Sequence, residues 1–121
     1  MKRQHWFFIK DMCESIQLIE NFVGSMNYQE FREDPKTRSA VAYQLQIIGE
    51  AAKNIPSEAR ERYREVPWGL MARMRDKIAH FYFGIDYEIV WDVVKNHLPS
   101  LKPLVLKILE EYEEESSQEA T

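Results

Sequence analysis

Apolar residues recur every three or four positions along most of this 121-residue chain. No segment alternates between apolar and polar residues for long enough to propose a β-sheet. The clearest apolar series steps by four, three, four and three residues through Val41, Leu45, Ile48, Ala52 and Ile55. This spacing puts all five side chains on one face, as in a helix packed against another helix. The pattern predicts an all-α fold.

Capping residues and prolines divide the helical pattern into segments. Asp34-Pro35 is a strong start signal, because Asp caps a helix N-terminus and Pro is tolerated at the first helical position. Long helices joined by short turns predict an antiparallel helical bundle. The predicted helices cover about residues 6–26, 35–54, a short stretch capped by Ser57, 67–81, a helix capped by Asp86 and closed by Leu98-Pro99, and a last helix capped by Ser100.

Charge is unevenly distributed along the chain. The formal net charge is −4, from 16 basic and 20 acidic residues, but residues 110–121 hold six of the acids and no Lys or Arg. The acidic end therefore sets the low pI, which does not argue against a nucleic-acid site on the rest of the chain. We expect one domain over residues 1–112 and an acidic, disordered tail over 113–121, because like charges resist compaction.

The composition excludes several classes of protein. Because Cys13 is the single cysteine, an internal disulfide framework and a cysteine-based zinc site are excluded. No apolar run approaches the roughly 18–20 residues that span a bilayer. The basic N-terminus has an apolar stretch too short for a secretory signal. We therefore expect a cytoplasmic protein that does not associate with a membrane.

Residues 71–91 concentrate side chains suited to chemistry on a phosphodiester. Arg75 can bind phosphate oxygens, and His80 can take or give a proton near neutral pH. Tyr82 adds a phenol two residues further on. Arg75 and His80 are five residues apart, so about 140° separates them on an ideal helix. Either the helix loosens near residues 81–84, or two chains contribute to one cleft.

The run RDKIAHFY, from Arg75 to Tyr82, resembles the Arg-x4-His-x-Tyr motif of the HepT-like toxins (domain of unknown function family 86) in the HEPN superfamily. IIGEAAKNIP at residues 47–56 is similar to that family's second-helix signature, and residues 66–102 follow its C-terminal pattern. The resemblance covers nearly all of residues 6–109. It implies a HEPN-like helical bundle that forms a homodimer, with the two motifs facing each other across the two-fold axis.

The resemblance also implies a metal-independent endoribonuclease, the toxin of a two-gene toxin–antitoxin module. The RNA would be cleaved through attack by its own 2′-hydroxyl, so no metal or cofactor is required. The predicted catalytic residues are Arg75, which would hold the phosphate, and His80, the general acid or base. Asp76 would orient His80 or fix Arg75, and Lys77 and Arg73 would help to bind the RNA backbone.

Tyr82 is the predicted site of regulation. In the family that this chain resembles, a minimal nucleotidyltransferase antitoxin (MntA-like) transfers AMP from ATP to the Tyr of the motif. The partner therefore uses the ATP, which is not a cofactor of this chain. An AMP group close to His80 would block RNA through its charge and its volume.

Other interpretations stay open at this point. The bundle could act without nuclease activity as the binding scaffold of the nucleotidyltransferase, or it could be a purely structural helical dimer. Glu50 lies in an otherwise apolar seam and is either a paired carboxylate at the bundle edge or a residue that supports the site. The sequence does not specify the RNA target, the proton that His80 moves, the size of the assembly with the antitoxin, or whether this copy is active or modified.

Overall fold

The structure is a computed structural model that describes residues 2–79 and 84–120. These residues form seven α-helices and one π-helical turn, with no strand among them, which confirms the predicted all-α fold. Within the same ranges, no helix is long and apolar enough to cross a membrane. The helices are α1 (Arg3–Val23), α2 (Tyr28–Arg32), α3 (Pro35–Lys53), α4 (Ser57–Arg62), α5 (Trp68–Ala79), α6 (Tyr87–Asp92) and α7 (Leu98–Ala120), and the π-turn is Val93–His97.

The predicted start signals at Asp34 and Asp86 are confirmed, whereas the first helix lies about three residues earlier than predicted. α1 covers Arg3–Val23, and its C-cap Gly24 has a φ of 51°, in the left-handed region that favours glycine. The side chain of Asp34 accepts a hydrogen bond from the backbone N–H of Thr37 at 3.0 Å, and Pro35 occupies the first position of α3. Asp86 caps α6 in the same way, accepting from two backbone N–H groups.

Two short helices differ from the sequence-based expectation. The five-residue helix α2 was not predicted, although Asn27 and Glu30 form a reciprocal capping box at its start. α4 begins at Ser57 as expected, but Pro56 rather than Ser57 is its N-cap residue, without a side-chain hydrogen bond. Local capping chemistry therefore explains α2. The N-cap of α4 lies one residue before the predicted cap, Ser57.

The predicted break at Leu98-Pro99 is wrong. α6, the π-turn and α7 follow one another without an intervening loop. In a regular α-helix, Pro99 would lack an N–H donor and its ring would clash with the carbonyl of Lys95. The wider π-turn contains Lys95 and ends at His97, two residues before the proline, so the helix accommodates the proline without ending.

The acidic end of the chain is helical in the structure, and the domain bounds of 1–112 and 113–121 stay a prediction. α7 continues through Ala120. Glu115 Oε1 lies 3.3 Å from Arg62 Nη2, and the hydroxyl of Tyr63 donates to Glu111 at 2.8 Å. Some of the like charges on α7 therefore face partners on or next to α4.

The core is built around α3. This helix packs against both α1 and α5, and α1 also packs against α7. All five residues of the predicted apolar seam, from Val41 to Ile55, are buried. They belong to one hydrophobic core cluster with the buried side chains of α1 and α7, which include Ile9, Met12, Ile16, Ile19, Val105 and Ile108. Because α3 lies between α1 and α5, its α5 side can carry polar residues without disturbing this core.

Candidate active site

Helices α3 and α5 come into close contact at Gly49. A Cβ atom on Gly49 would overlap the Arg75 Cβ and would lie only 2.8 Å from the carbonyl oxygen of Met71. No side chain fits between the helices at this point. This explains a glycine in the interior of α3, where it costs about 1 kcal/mol relative to alanine. The contact brings the first atoms of the Arg75 side chain against the backbone of α3.

Arg75 belongs to a series of four alternating charges that joins α3 to α5, here called the charged row: Glu50, Arg75, Asp76 and Lys53. Arg75 Nε lies 3.2 Å from Glu50 Oε2, and Arg75 Nη1 lies 3.3 Å from Asp76 Oδ1. Asp76 Oδ1 also accepts a hydrogen bond from Lys53 Nζ at 3.1 Å. The side chain of Arg75 is 26% exposed. Its guanidinium is therefore held at the edge of the bundle, where a ligand in solution can reach it.

Asp76 is held in its ionised form by its neighbours. The hydrogen bond from Lys53 is the main cause that lowers the pKa of the Asp76 carboxyl, and Arg75 adds to it. Any stability that this carboxylate contributes is present above its ordinary pKa and is lost as the pH falls through the lowered value. At neutral pH Asp76 accepts hydrogen bonds and does not donate one. Asp76 is predicted to orient His80 or to fix Arg75. The structure shows its contact with Arg75, and His80 lies outside the described residues.

Arg73 and Lys77 lie on a different face of α5 from Arg75. Each is two residues away from Arg75, which corresponds to about 200° around a helix. Both are exposed and line a cavity of about 810 Å³ between α5 and the segment formed by α6, the π-turn and the start of α7. We call this cavity the apolar groove, since Leu70, Met74 and Ile89 are among its lining residues. The structure therefore does not bring these two cations to the guanidinium of Arg75.

His80 and Tyr82 lie outside the described residues. Their roles as general acid or base and as the modified residue remain predictions. The described part of α5 ends at Ala79, directly before His80.

Sequence reasoning did not single out two of the residues that build this site. Gly49 stands inside an apolar helical seam, which is a signal for a close approach between backbones. Lys53 pairs with a residue 23 positions later in the chain, and no local spacing rule predicts such a contact. Glu50 was noted without an assigned role, and the structure places it beside Arg75.

Comparison with known proteins gives a consistent result. A family model described as Ribonuclease HepT-like matches residues 12–108. The "Probable ribonuclease HepT" of Thermococcus cleftensis is 48% identical over 102 residues, which cover 84% of this chain and 93% of that protein. A "Putative RNase" of Methanocaldococcus jannaschii is 44% identical over 108 residues, or 89% of each chain. A "Putative RNase" of Caldanaerobacter subterraneus is 36% identical over 103 residues, covering 85% of this chain and 92% of that protein.

The matched residues include α3, α5 and the whole charged row. The chain belongs to the HepT-like ribonuclease family, as the resemblance of its motifs indicates. The predicted enzyme class, an RNA endonuclease, is confirmed at the level of this family. No solved structure gives a significant match to the chain.

Proposed function

We propose that this chain is the toxin of a two-gene toxin–antitoxin module and that it cleaves RNA without a metal ion. The observation that carries the proposal is the guanidinium of Arg75, held between Glu50 and Asp76 at the accessible edge of α3 and α5. The names of the relatives, which describe ribonucleases, support RNA as the substrate. The Arg-x4-His-x-Tyr spacing supports the assignment of the remaining groups.

In this proposal the attacking group belongs to the substrate. The 2′-oxygen of a ribose bonds to the adjacent phosphorus, and the bond from phosphorus to the 5′-oxygen breaks. The products are a 2′,3′-cyclic phosphate and a 5′-hydroxyl. One proton leaves the 2′-hydroxyl and one is given to the 5′-oxygen, and His80 moves one of these protons. Arg75 binds the phosphate and stabilises the negative charge that builds up on its oxygens.

The test is cleavage of a mixed RNA in the presence of EDTA by the wild type, Arg75→Ala and His80→Ala, each checked for helical content. We expect cleavage by the wild type, cyclic-phosphate ends, and losses of about 100-fold or more in both variants. RNA that carries 2′-O-methyl groups throughout should remain intact. Cleavage of that RNA would contradict attack by the 2′-hydroxyl. No cleavage by unmodified wild type would favour the scaffold interpretation instead.

Regulation is proposed to act at Tyr82 through AMP transfer from ATP by a minimal nucleotidyltransferase antitoxin. The incoming phosphate adds negative charge close to His80, where it would compete with RNA for the cationic groups of the site. We expect Tyr82→Phe to remain toxic and to gain no mass when incubated with the antitoxin and ATP, whereas the wild type gains the mass of AMP. Loss of nuclease activity in a folded Tyr82→Phe variant would make Tyr82 part of the catalytic machinery.

The active form is proposed to be a homodimer in which a second copy covers the apolar groove. Leu70 and Ile89 are each half exposed there, although both are large apolar side chains. Arg73 and Lys77 line the α5 side and Asp86 the α6 side, so a two-fold contact can pair unlike charges. We expect Leu70→Asp to shift the mass in sedimentation from dimer to monomer. Leu18→Asp, at an exposed leucine of α1, is the matched control and should stay dimeric.

A further inference from the structure

Glu50 faces the side of the Arg75 guanidinium that carries Nε. Its Oε2 atom lies 3.2 Å from that nitrogen. Glu50 directly follows Gly49, where α3 and α5 are in contact, and a Cβ on that glycine would also lie 3.0 Å from Arg75 Cγ. The helix contact at Gly49 fixes the position of the Arg75 Cβ atom, and the Glu50 carboxylate lies beside the guanidinium at the other end of the same side chain. The two features therefore act together on Arg75.

The two carboxylates of the charged row are not equivalent. Asp76 is shared between Arg75 and Lys53, so a second cation offsets its charge. Within residues 2–79 and 84–118, Glu50 forms an ion pair with Arg75 alone. The carboxylate of Glu50 is therefore directed at the guanidinium, whereas Asp76 also ties α5 to α3 through Lys53.

We propose that Glu50 is a positioning residue for Arg75, which holds the Nε side of the guanidinium and so orients Nη2, the terminal nitrogen that Asp76 does not pair with, toward the RNA phosphate. This inference rests on the ribonuclease function proposed above. The guanidinium is planar with its N–H groups in a rigid fork, so fixing one edge orients the rest. Glu50 is itself negative and repels a phosphate. We therefore expect its contribution to appear in the rate of the reaction and not in the binding of RNA.

The first arm of the test measures RNA cleavage by Glu50→Gln, with Glu20→Gln as the matched control. Glu20 lies in α1 and forms an ion pair of comparable exposure with Lys102 at 2.9 Å, away from the charged row. We expect kcat to fall by about 10- to 100-fold in Glu50→Gln with KM unchanged or lower. Glu20→Gln should stay within about twofold of the wild type. In an Arg75→Ala background, Glu50→Gln should cause no further loss, because its effect passes through Arg75.

The second arm does not depend on activity. In ¹⁵N-labelled protein, the Nε–H resonance of Arg75 is identified by its absence in Arg75→Lys. Its heteronuclear NOE should be high in the wild type and should fall in Glu50→Gln to the value of Arg64, whose side chain is 81% exposed. Glu20→Gln should leave it unchanged.

The outcomes separate the two proposals. An inactive wild type, or full activity in Arg75→Ala, would refute the ribonuclease mechanism, while the NOE would still decide whether Glu50 holds Arg75. An unchanged kcat in Glu50→Gln beside an inactive Arg75→Ala would overturn the positioning role alone. A rise in KM without a fall in kcat would overturn it as well, since it would make Glu50 part of RNA binding. An Arg75 Nε–H heteronuclear NOE of equal value in Glu50→Gln and the wild type would also overturn the positioning role.

Discussion

The arginines of α5 show how much the surroundings of a residue decide what it can do. Arg73 is exposed and lines the apolar groove, whereas Arg75 lies between two carboxylates with a quarter of its side chain in contact with solvent. A lysine at position 75 would supply the charge but not the planar fork that reaches both Glu50 and Asp76. Of the two arginines of α5, Arg75 is the one that ion pairs hold in an orientation from which it can meet a phosphate.

The thiol of Cys13 allows a second prediction about a single residue. Burial raises the pKa of the Cys13 thiol to about 11, and the nearby carboxylates Glu14 and Glu113 add to the effect. We expect the rate of alkylation by iodoacetamide to rise with a midpoint near pH 11 in the folded protein and near 9 in urea. The folded state loses stability as the pH rises through this range, because it disfavours the thiolate.

The chain has one cysteine, so the alkylated site needs no separate assignment, and Cys13→Ser gives the background rate. A midpoint near 9 in the native protein would contradict the rise in the pKa of the Cys13 thiol that burial causes. A drop in the midpoint on Glu113→Gln would identify the share that the end of α7 contributes.

At the scale of elements, the contact between α3 and α5 depends on the missing side chain at position 49. We expect Gly49→Ala to destabilise the protein by about 1–3 kcal/mol, because the strain of overpacking exceeds the gain of about 1 kcal/mol in helix propensity. Urea denaturation measures the difference. Since the new methyl group displaces Arg75, RNA cleavage should fall in the same variant.

Gly69 is the matched control, because it lies in α5 and a Cβ there would meet only the flexible end of Arg73, at 3.2 Å. Gly69→Ala should leave stability unchanged or raise it by up to about 1 kcal/mol. Equal destabilisation by both substitutions would show that the close helix contact is not what makes Gly49 necessary.

Most of the helices could be predicted from the sequence because their signals are local. The apolar seam of α3 and the caps Asp34 and Asp86 each depend on residues within one or two turns. The π-turn escaped prediction, since Pro99 normally signals a helix end and the accommodating turn precedes it. The charged row was only partly predicted, for a different reason. Its ion pairs join α3 to α5, and the sequence has no periodic pattern that shows which surface charges on two different helices are partners.

At the scale of the whole molecule, the distribution of charge should govern how RNA approaches. Removing residues 113–121 deletes four carboxylates and no cation, which brings the formal net charge from −4 to 0. We expect RNA affinity to rise by about two- to tenfold at low salt, and the gain to shrink as the ionic strength increases. Electrophoretic mobility shifts at several salt concentrations measure both effects.

A full-length variant in which the same four glutamates are replaced by glutamine is the control. It separates the effect of the lost charge on RNA affinity from the effect of the shorter chain. The unfolding free energy should change by less than about 1 kcal/mol in the truncated chain, since the side chains of the lost pair, Arg62 and Glu115, are each about half exposed. An RNA affinity that is equal in all three proteins at every salt concentration would contradict the expected repulsion.

The π-turn makes the effect of a deletion in the C-terminal third of the molecule depend on where the deletion falls. Removing one residue from a regular α-helix turns everything beyond it by about 100°, so a deletion between Leu101 and Val105 would swing Val105 and Ile108 out of the core together. A π-turn holds one residue more than an α-turn. A single deletion within Val93–His97 can therefore close it to an ordinary α-turn and leave α7 facing the core, at the cost of the clash between the Pro99 ring and the carbonyl four residues earlier.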